Sequence, residues 1–259
     1  MPLSNRDEVI LRVFQRHYTK GAAEVLFSLE DIREAIRESG YTEHNIPDLR
    51  YQYTSGRAPL PKAIDDLGPW MIQGRGKSKY AFVKLSRPLA VSLPDDLMII
   101  PIPDATPQIV LECAGADEQG LLAKVLYNRM IDCFLGITCY HIQNHLRTVV
   151  EGQSQVEIDD LYVGLDKKGR QYVIPVEAKG PKDTLSRTQV MQSIFFAKKR
   201  YPNLILRPVG VQGKKDGSIY LVEFFPADHP DAISIIDMRR YALSPMDQIP
   251  LDRLQKQQD

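Results

Sequence analysis

Pro88, Pro94, Pro101, Pro103 and Pro107 crowd into the stretch 87–107. A proline fixes its own φ and has no N–H to donate, so no helix runs through such spacing. The stretch reads as an extended connector. Its apolar piece, LMIIPIP, is expected to lie on a domain surface. This divides the chain into a first domain over 1–90, a connector over 91–108 and a second domain over 109–259. A length of 259 residues suffices for two small domains. No repeat of 20–50 residues and no low-complexity segment is visible.

Charge follows the same division. Residues 1–90 carry 14 Lys/Arg against 11 Asp/Glu, whereas 91–259 carry 19 against 22. Between Arg50 and Arg87 there are eight basic residues and only two acidic ones, Asp65 and Asp66. The whole chain has no net charge, which excludes an acidic tail or a strongly basic protein but not a local basic patch. No apolar run approaches the ~18–20 residues that span a bilayer. The start, MPLSNRDEVILR, has no hydrophobic signal core, so a cytoplasmic protein is expected. Cys113, Cys133 and Cys139 are odd in number and lack CxxC spacing, so free thiols are expected rather than a disulfide framework or structural zinc.

In the first domain, Val9, Ile10, Val13 and Phe14 fall at helical spacing and predict an amphipathic helix over 7–19, broken by Gly21. Ser28 is a candidate N-cap with Asp31 three residues on, and a second helix runs to Gly40. A third helix over 45–54 is feasible with Pro47 in its first turn. Two short apolar runs, 70–73 and 80–85, then flank GRGKS, a hairpin signal.

Three helices followed by a basic hairpin resemble, in element order and length, a winged helix-turn-helix domain. The resemblance implies that the third helix enters the major groove of DNA, with Arg50 and Arg57 near it, while Arg75, Lys77 and Lys79 on the wing meet phosphates. The tip also reads as an ordinary solvated turn, and such a domain can equally bind protein.

The second domain reads as α-β-β-β-α-β-β: a helix over 117–135, a strand over 141–151, the hairpin VEIDDLYVGL–DKKGR–QYVIPVEAKG, a helix over 185–200, and strands over 204–212 and 218–225. The hairpin carries charges where apolar neighbours demand burial. Side chains alternate along a strand, so Glu177 and Lys179 share a face. Asp159 shares its face with Glu157 and Leu161, and Asp160 points the other way with Ile158 and Tyr162. Buried charges need compensation. Two carboxylates with the Ala178 carbonyl between Glu177 and Lys179 make an all-oxygen set that suits Mg²⁺, with Mn²⁺ as a substitute.

These residues resemble the PD-(D/E)XK nuclease superfamily, whose core is α-β-β-β-α-β. The resemblance covers about 117–212. Of the two [DE]-x-K triplets in the chain, Asp166-Lys167-Lys168 lies in a polar turn and Glu177-Ala178-Lys179 in an apolar strand. It implies a mixed-sheet α/β core of restriction-endonuclease type, with Asp159 and Glu177 as metal ligands and Lys179 as the catalytic lysine. Asp160 remains an alternative to Asp159. Pro175 departs from the pattern, since it lacks an N–H in a strand the fold makes central. The superfamily often adds an acid from the first helix and a polar residue from the second. Glu118 fits the first, or is simply an acid favoured at a helix N-terminus. Gln189 and Gln192 share a helix face, as surface amides or as contacts to the site or to DNA. Lys182, His17 and Cys133 read as ordinary residues. His141 and His145, on one strand face about 13 Å apart, are too distant for one metal. Gly74–Ser78 superficially resembles a phosphate loop but lacks its spacing and a following helix.

The expected function is a Mg²⁺-dependent endonuclease on double-stranded DNA, similar to a type II restriction enzyme and hence a homodimer. Alternatives are a DNA-binding regulator with an inactive nuclease-like half, or a repair or junction nuclease.

Overall fold

The computed structural model describes residues 4–42, 45–54, 58–115, 117–149 and 155–249. The chain divides into two compact units, the second opening at Ala90.

The first unit begins with α1, Asn5–His17, which buries Val9, Ile10, Val13 and Phe14. After β1, Glu24–Ser28, comes α2, Leu29–Ser39. Ser28 caps α2 as its spacing foretold: the Ser28 hydroxyl accepts the Asp31 N–H, and the Asp31 carboxylate accepts the Ser28 N–H at 2.7 Å. Gly40 ends the helix at φ +68°, a left-handed conformation that favours glycine. Then follow α3, Ile46–Thr54, the short α4, Lys62–Asp65, and the strands β2, Trp70–Gly74, and β3, Lys79–Lys84. The three strands order β1-β3-β2, all antiparallel. Phe14, Phe27, Trp70 and Phe82 meet edge-on or tilted in the core. The β1 strand was not foreseen. It is only five residues long, and it buries just Val25 and Phe27.

The second unit is a mixed α/β assembly. The stretch expected as a connector contains a strand, β4, Ile99–Pro103. It pairs in parallel with β11, Ile235–Ser244, also unforeseen. Pro101 and Pro103 are tolerated because β4 lies at the sheet edge. The short α5, Gln108–Cys113, precedes α6, Glu118–Tyr127, and α7, Met130–Leu135. The single helix expected over 117–135 is thus two. Arg129 breaks it at φ +47°, and the Asn128 amide bonds back to the Lys124 carbonyl and the Thr106 hydroxyl.

The strands β5, Thr138–Val149, β6, Gln155–Leu165, and β7, Gln171–Lys179, lead to α8, Arg187–Arg200. The expected strand over 204–212 is two pieces, β8, Ile205–Leu206, and β9, Val209–Gly213. β10, Ile219–Phe224, follows. The sheet runs β4-β11-β10-β9-β7-β6-β5, with β8 beside β7. β7 is antiparallel to β6 and parallel to β9. Ile174, Val176 and Ala178 on one face of β7 join a core with Leu121, Leu122, Val125 and Ile131 of α6 and α7. The alternate residues of β7, among them Glu177 and Lys179, belong to the other face. Among the described residues, no helix is long and apolar enough to cross a membrane. All three cysteines are free thiols.

Candidate active site

Two strands bring the charges together. The ladder between β6 and β7 runs from Leu165↔Gln171 to Asp160↔Val176. The next β7 N–H on that side, Ala178, donates instead to Oδ2 of Asp159 at 2.8 Å. This bond ties Asp159 to the strand that carries Glu177 and Lys179.

The Lys179 ammonium is the centre of the cluster. Its Nζ lies 3.2 Å from Glu177 Oε1, 3.9 Å from Asp159 Oδ2 and 3.3 Å from Glu118 Oε1. It also donates to the Ala178 carbonyl at 2.8 Å. Glu118 arrives from the first turn of α6, where Asp117 caps the helix by accepting the Gly120 N–H. The side chain of Glu177 is 3 % exposed and that of Lys179 13 %, while Glu118 keeps 35 %, so the cluster is dry at Glu177 and wet at Glu118.

Burial, reinforced by the Asp159 charge, pushes the Glu177 carboxyl up to about 8, only partly offset by Lys179. Burial pulls the Lys179 ammonium down, but Glu177, Asp159 and Glu118 outweigh it and hold its pKa above the ordinary value.

Asp160 faces the other way. Its carboxylate meets His141 Nε2 at 3.1 Å and accepts the Tyr162 hydroxyl at 3.2 Å. Burial raises its pKa. Of the two adjacent acids, only Asp159 reaches Glu177 and Lys179. His141 therefore has a partner that its own strand did not reveal, because that partner sits on the neighbouring strand. His145 is exposed.

Gln192 is buried on α8, Gln189 is half-buried, and Lys182 is exposed in the loop after β7. His17 pairs with Asp31, and Cys133 is exposed. In the first unit, Arg75 does not project freely: its guanidinium is bound to Glu24 Oε1 at 2.6 Å. Lys77 and Lys79 are exposed at the hairpin tip, whose turn uses Gly76 at φ +103°. Arg50 lies in α3, its side chain outside the described part, and Arg57 lies outside the described residues.

Sequence reading passed over Gln212. It is 3 % exposed in β9, in register with Lys179. Its signal was a lone amide in VGVQG, an otherwise apolar or glycine strand.

Among the described residues, no group of three or more His, Cys, Asp or Glu side chains is set to hold a metal ion. The donor chemistry nevertheless fits a hard cation. Oxygens of Asp159, Glu177 and Ala178 all lie within 3.9 Å of one cationic nitrogen, and oxygen-only sets of this kind suit Mg²⁺ when water completes them. Comparison with family models, with curated proteins and with solved structures finds no match to this chain.

Proposed function

We propose that this protein is a divalent-metal-dependent endonuclease acting on double-stranded DNA. The observation that carries the reading is the convergence of Asp159, Glu177 and Lys179 at the end of an apolar strand pair. The order from α6 to β9 supports it: with the split helix α6–α7 and the split strand β8–β9 each taken as one element, it is the α-β-β-β-α-β of the PD-(D/E)XK nucleases. The order of the first unit, with the β2–β3 hairpin and its basic tip after the helices α1, α2, α3 and the single turn α4, supports a winged-helix reader of DNA.

Asp159, Glu177 and the Ala178 carbonyl would hold Mg²⁺. Bound there, the cation supplies a water of lowered pKa and positive charge beside the scissile phosphate. The chain does the rest. Burial of Glu177 keeps bulk water from the inner side of the site. Glu118 offers Lys179 a carboxylate on the solvent side, so that the ammonium can leave the Ala178 carbonyl without losing an ionic partner. Lys179 then faces the phosphate and offsets the charge that develops on it. Cutting both strands takes two such sites, which favours a homodimer.

A second reading is a DNA-binding regulator whose cluster is inert. What favours it is the ion-paired closure of the cluster, with the Lys179 ammonium already on the Ala178 carbonyl. Incubation with varied duplex DNAs separates the two. A nuclease gives discrete fragments with Mg²⁺, none with EDTA, and none after Glu177→Gln. Binding without cleavage under every metal condition selects the regulator, and cleavage that survives chelation removes the metal-dependent reading.

A further inference from the structure

Gln212 is a polar side chain where the strand offers only apolar surroundings, and a buried amide must find partners for both its ends. Its Oε1 accepts the Leu185 N–H at 3.1 Å. Its Nε2 lies 2.8 Å from the Gly180 carbonyl, 3.1 Å from those of Asp183 and Gly213, and 3.2 Å from that of Lys179. Two amide hydrogens are shared among these four carbonyls. All but Gly213 belong to the chain that leaves β7 after the site lysine.

The placement has a structural cause. The parallel ladder of β7 and β9 ends at the pair Lys179↔Gln212. Beyond it the segment 180–185 leaves the sheet, and the carbonyls of Lys179, Gly180 and Asp183 all turn toward the Gln212 amide. Gln212 supplies the donors and so fixes the direction in which the backbone leaves Lys179. That direction matters because Lys179 is the last residue of its strand and has ladder support on one side of the chain only.

We propose that Gln212 is a positioning residue for the site: by clamping the segment that leaves β7, it holds the Lys179 ammonium between Glu177, Asp159 and Glu118. Its effect on turnover rests on the nuclease reading; its effect on Lys179 does not.

The experiment uses the full chain with Gln212→Met, which keeps the length and volume of the side chain and removes its hydrogen bonds. Gln212→Glu is the second variant, keeping the shape and an acceptor but losing the N–H donors. The rate at which each lysine reacts with a succinimidyl ester is read by peptide mass spectrometry. Lys124 of α6 and Lys198 of α8 serve as internal references. In both variants Lys179 should react about five- to tenfold faster than in the wild type, the factor that loss of roughly one net hydrogen bond gives. The references should stay unchanged. On duplex DNA with Mg²⁺, kcat should fall by ~10²-fold with KM unchanged, as expected for a displaced catalytic group. Two results overturn the proposal: Lys179 as protected as in the wild type, or Lys179 and the reference lysines accelerating together, which makes Gln212 a support of the fold alone. A wild-type chain that cuts no DNA removes the nuclease reading and leaves the labelling comparison standing.

Discussion

Lys179 holds its charge where little water reaches it, 13 % exposed among three carboxylates. Above about pH 8, where the metal-free Glu177 is ionised, Lys179→Ala leaves Asp159 and Glu177 uncompensated, and breaking a buried pair costs ~3–5 kcal/mol. The melting temperature of the variant should fall sharply in EDTA and recover with Mg²⁺, while cutting drops by ~10²–10⁴-fold. A variant that melts much lower yet cuts at the wild-type rate makes Lys179 a structural partner only. The proton on Glu177 gives a second prediction. An unfolded Glu releases it near 4.5, the metal-free fold near about 8. Between these values the folded chain binds one more proton than the unfolded chain, so stability is greatest below the lower value and falls as pH rises through the upper one. Urea titrations from pH 4 to 9 should show this slope in the wild type and its loss in Glu177→Gln. Mg²⁺ has to expel the same proton, so its affinity, measured by calorimetry, should climb roughly tenfold per pH unit until about pH 8. At this scale the pairing of Glu177 with Lys179 was legible, because alternation along a strand puts them on one face. The choice between Asp159 and Asp160 was also readable from alternation within β6, but only once β6 had been set in register against β7.

Pro175 was the misfit in β7, and the elements around it explain why the strand tolerates it. The Ala178 N–H points to β6, so alternation turns Pro175, three residues earlier, toward the opposite neighbour. That neighbour is interrupted there: β8 pairs with Tyr172 and Val173, and β9 begins opposite Val176. Pro175 therefore faces the break at Arg207-Pro208, where no ladder bond is lost. Arg207 closes the break by donating its backbone N–H to the Val173 carbonyl at 3.0 Å and a bidentate side-chain pair to Glu223. Elsewhere caps and periodicity foretold α1, α2 and α8 closely, since helices are set by residues three and four apart. They failed at Arg129, where a bend is fixed by Asn128 reaching Thr106 in a distant part of the chain. Gly120 gives a prediction for α6. A Cβ there would lie 1.8 Å from the Gly115 carbonyl oxygen, a backbone atom of the loop that leads into the helix. Gly120→Ala must displace that loop, at a cost of about 1–3 kcal/mol in denaturant unfolding. Because Glu118 opens the same helix, Lys179 should lose part of its protection from amine reagents too.

Taken whole, the molecule is two units with separate cores, and the proposed labour divides between them. Replacing Arg75, Lys77 and Lys79 together with alanine should weaken DNA binding and reduce its dependence on salt, because each lost phosphate contact withdraws a released counterion. Arg75 is already occupied by Glu24, so the slope of log K against log salt should change by about two contacts rather than three. An unchanged slope in a fluorescence titration places the DNA-reading surface elsewhere. What depends on near neighbours was legible in the residues alone: the helices that their caps and apolar stripes define, the β-hairpin that offers GRGKS, and a strand ending in an acid and a lysine on one face. The sequence also marked the proline-rich stretch as extended. It took the folded chain to show that this stretch supplies an edge strand, that Glu118 reaches Lys179 across 61 residues of sequence, and that the Gln212 amide meets the carbonyls of Lys179, Gly180 and Asp183. The physical reason is that local sequence sets a side chain's face and spacing. The partner it meets there depends on strand order and register, which are settled by burial over the whole sheet.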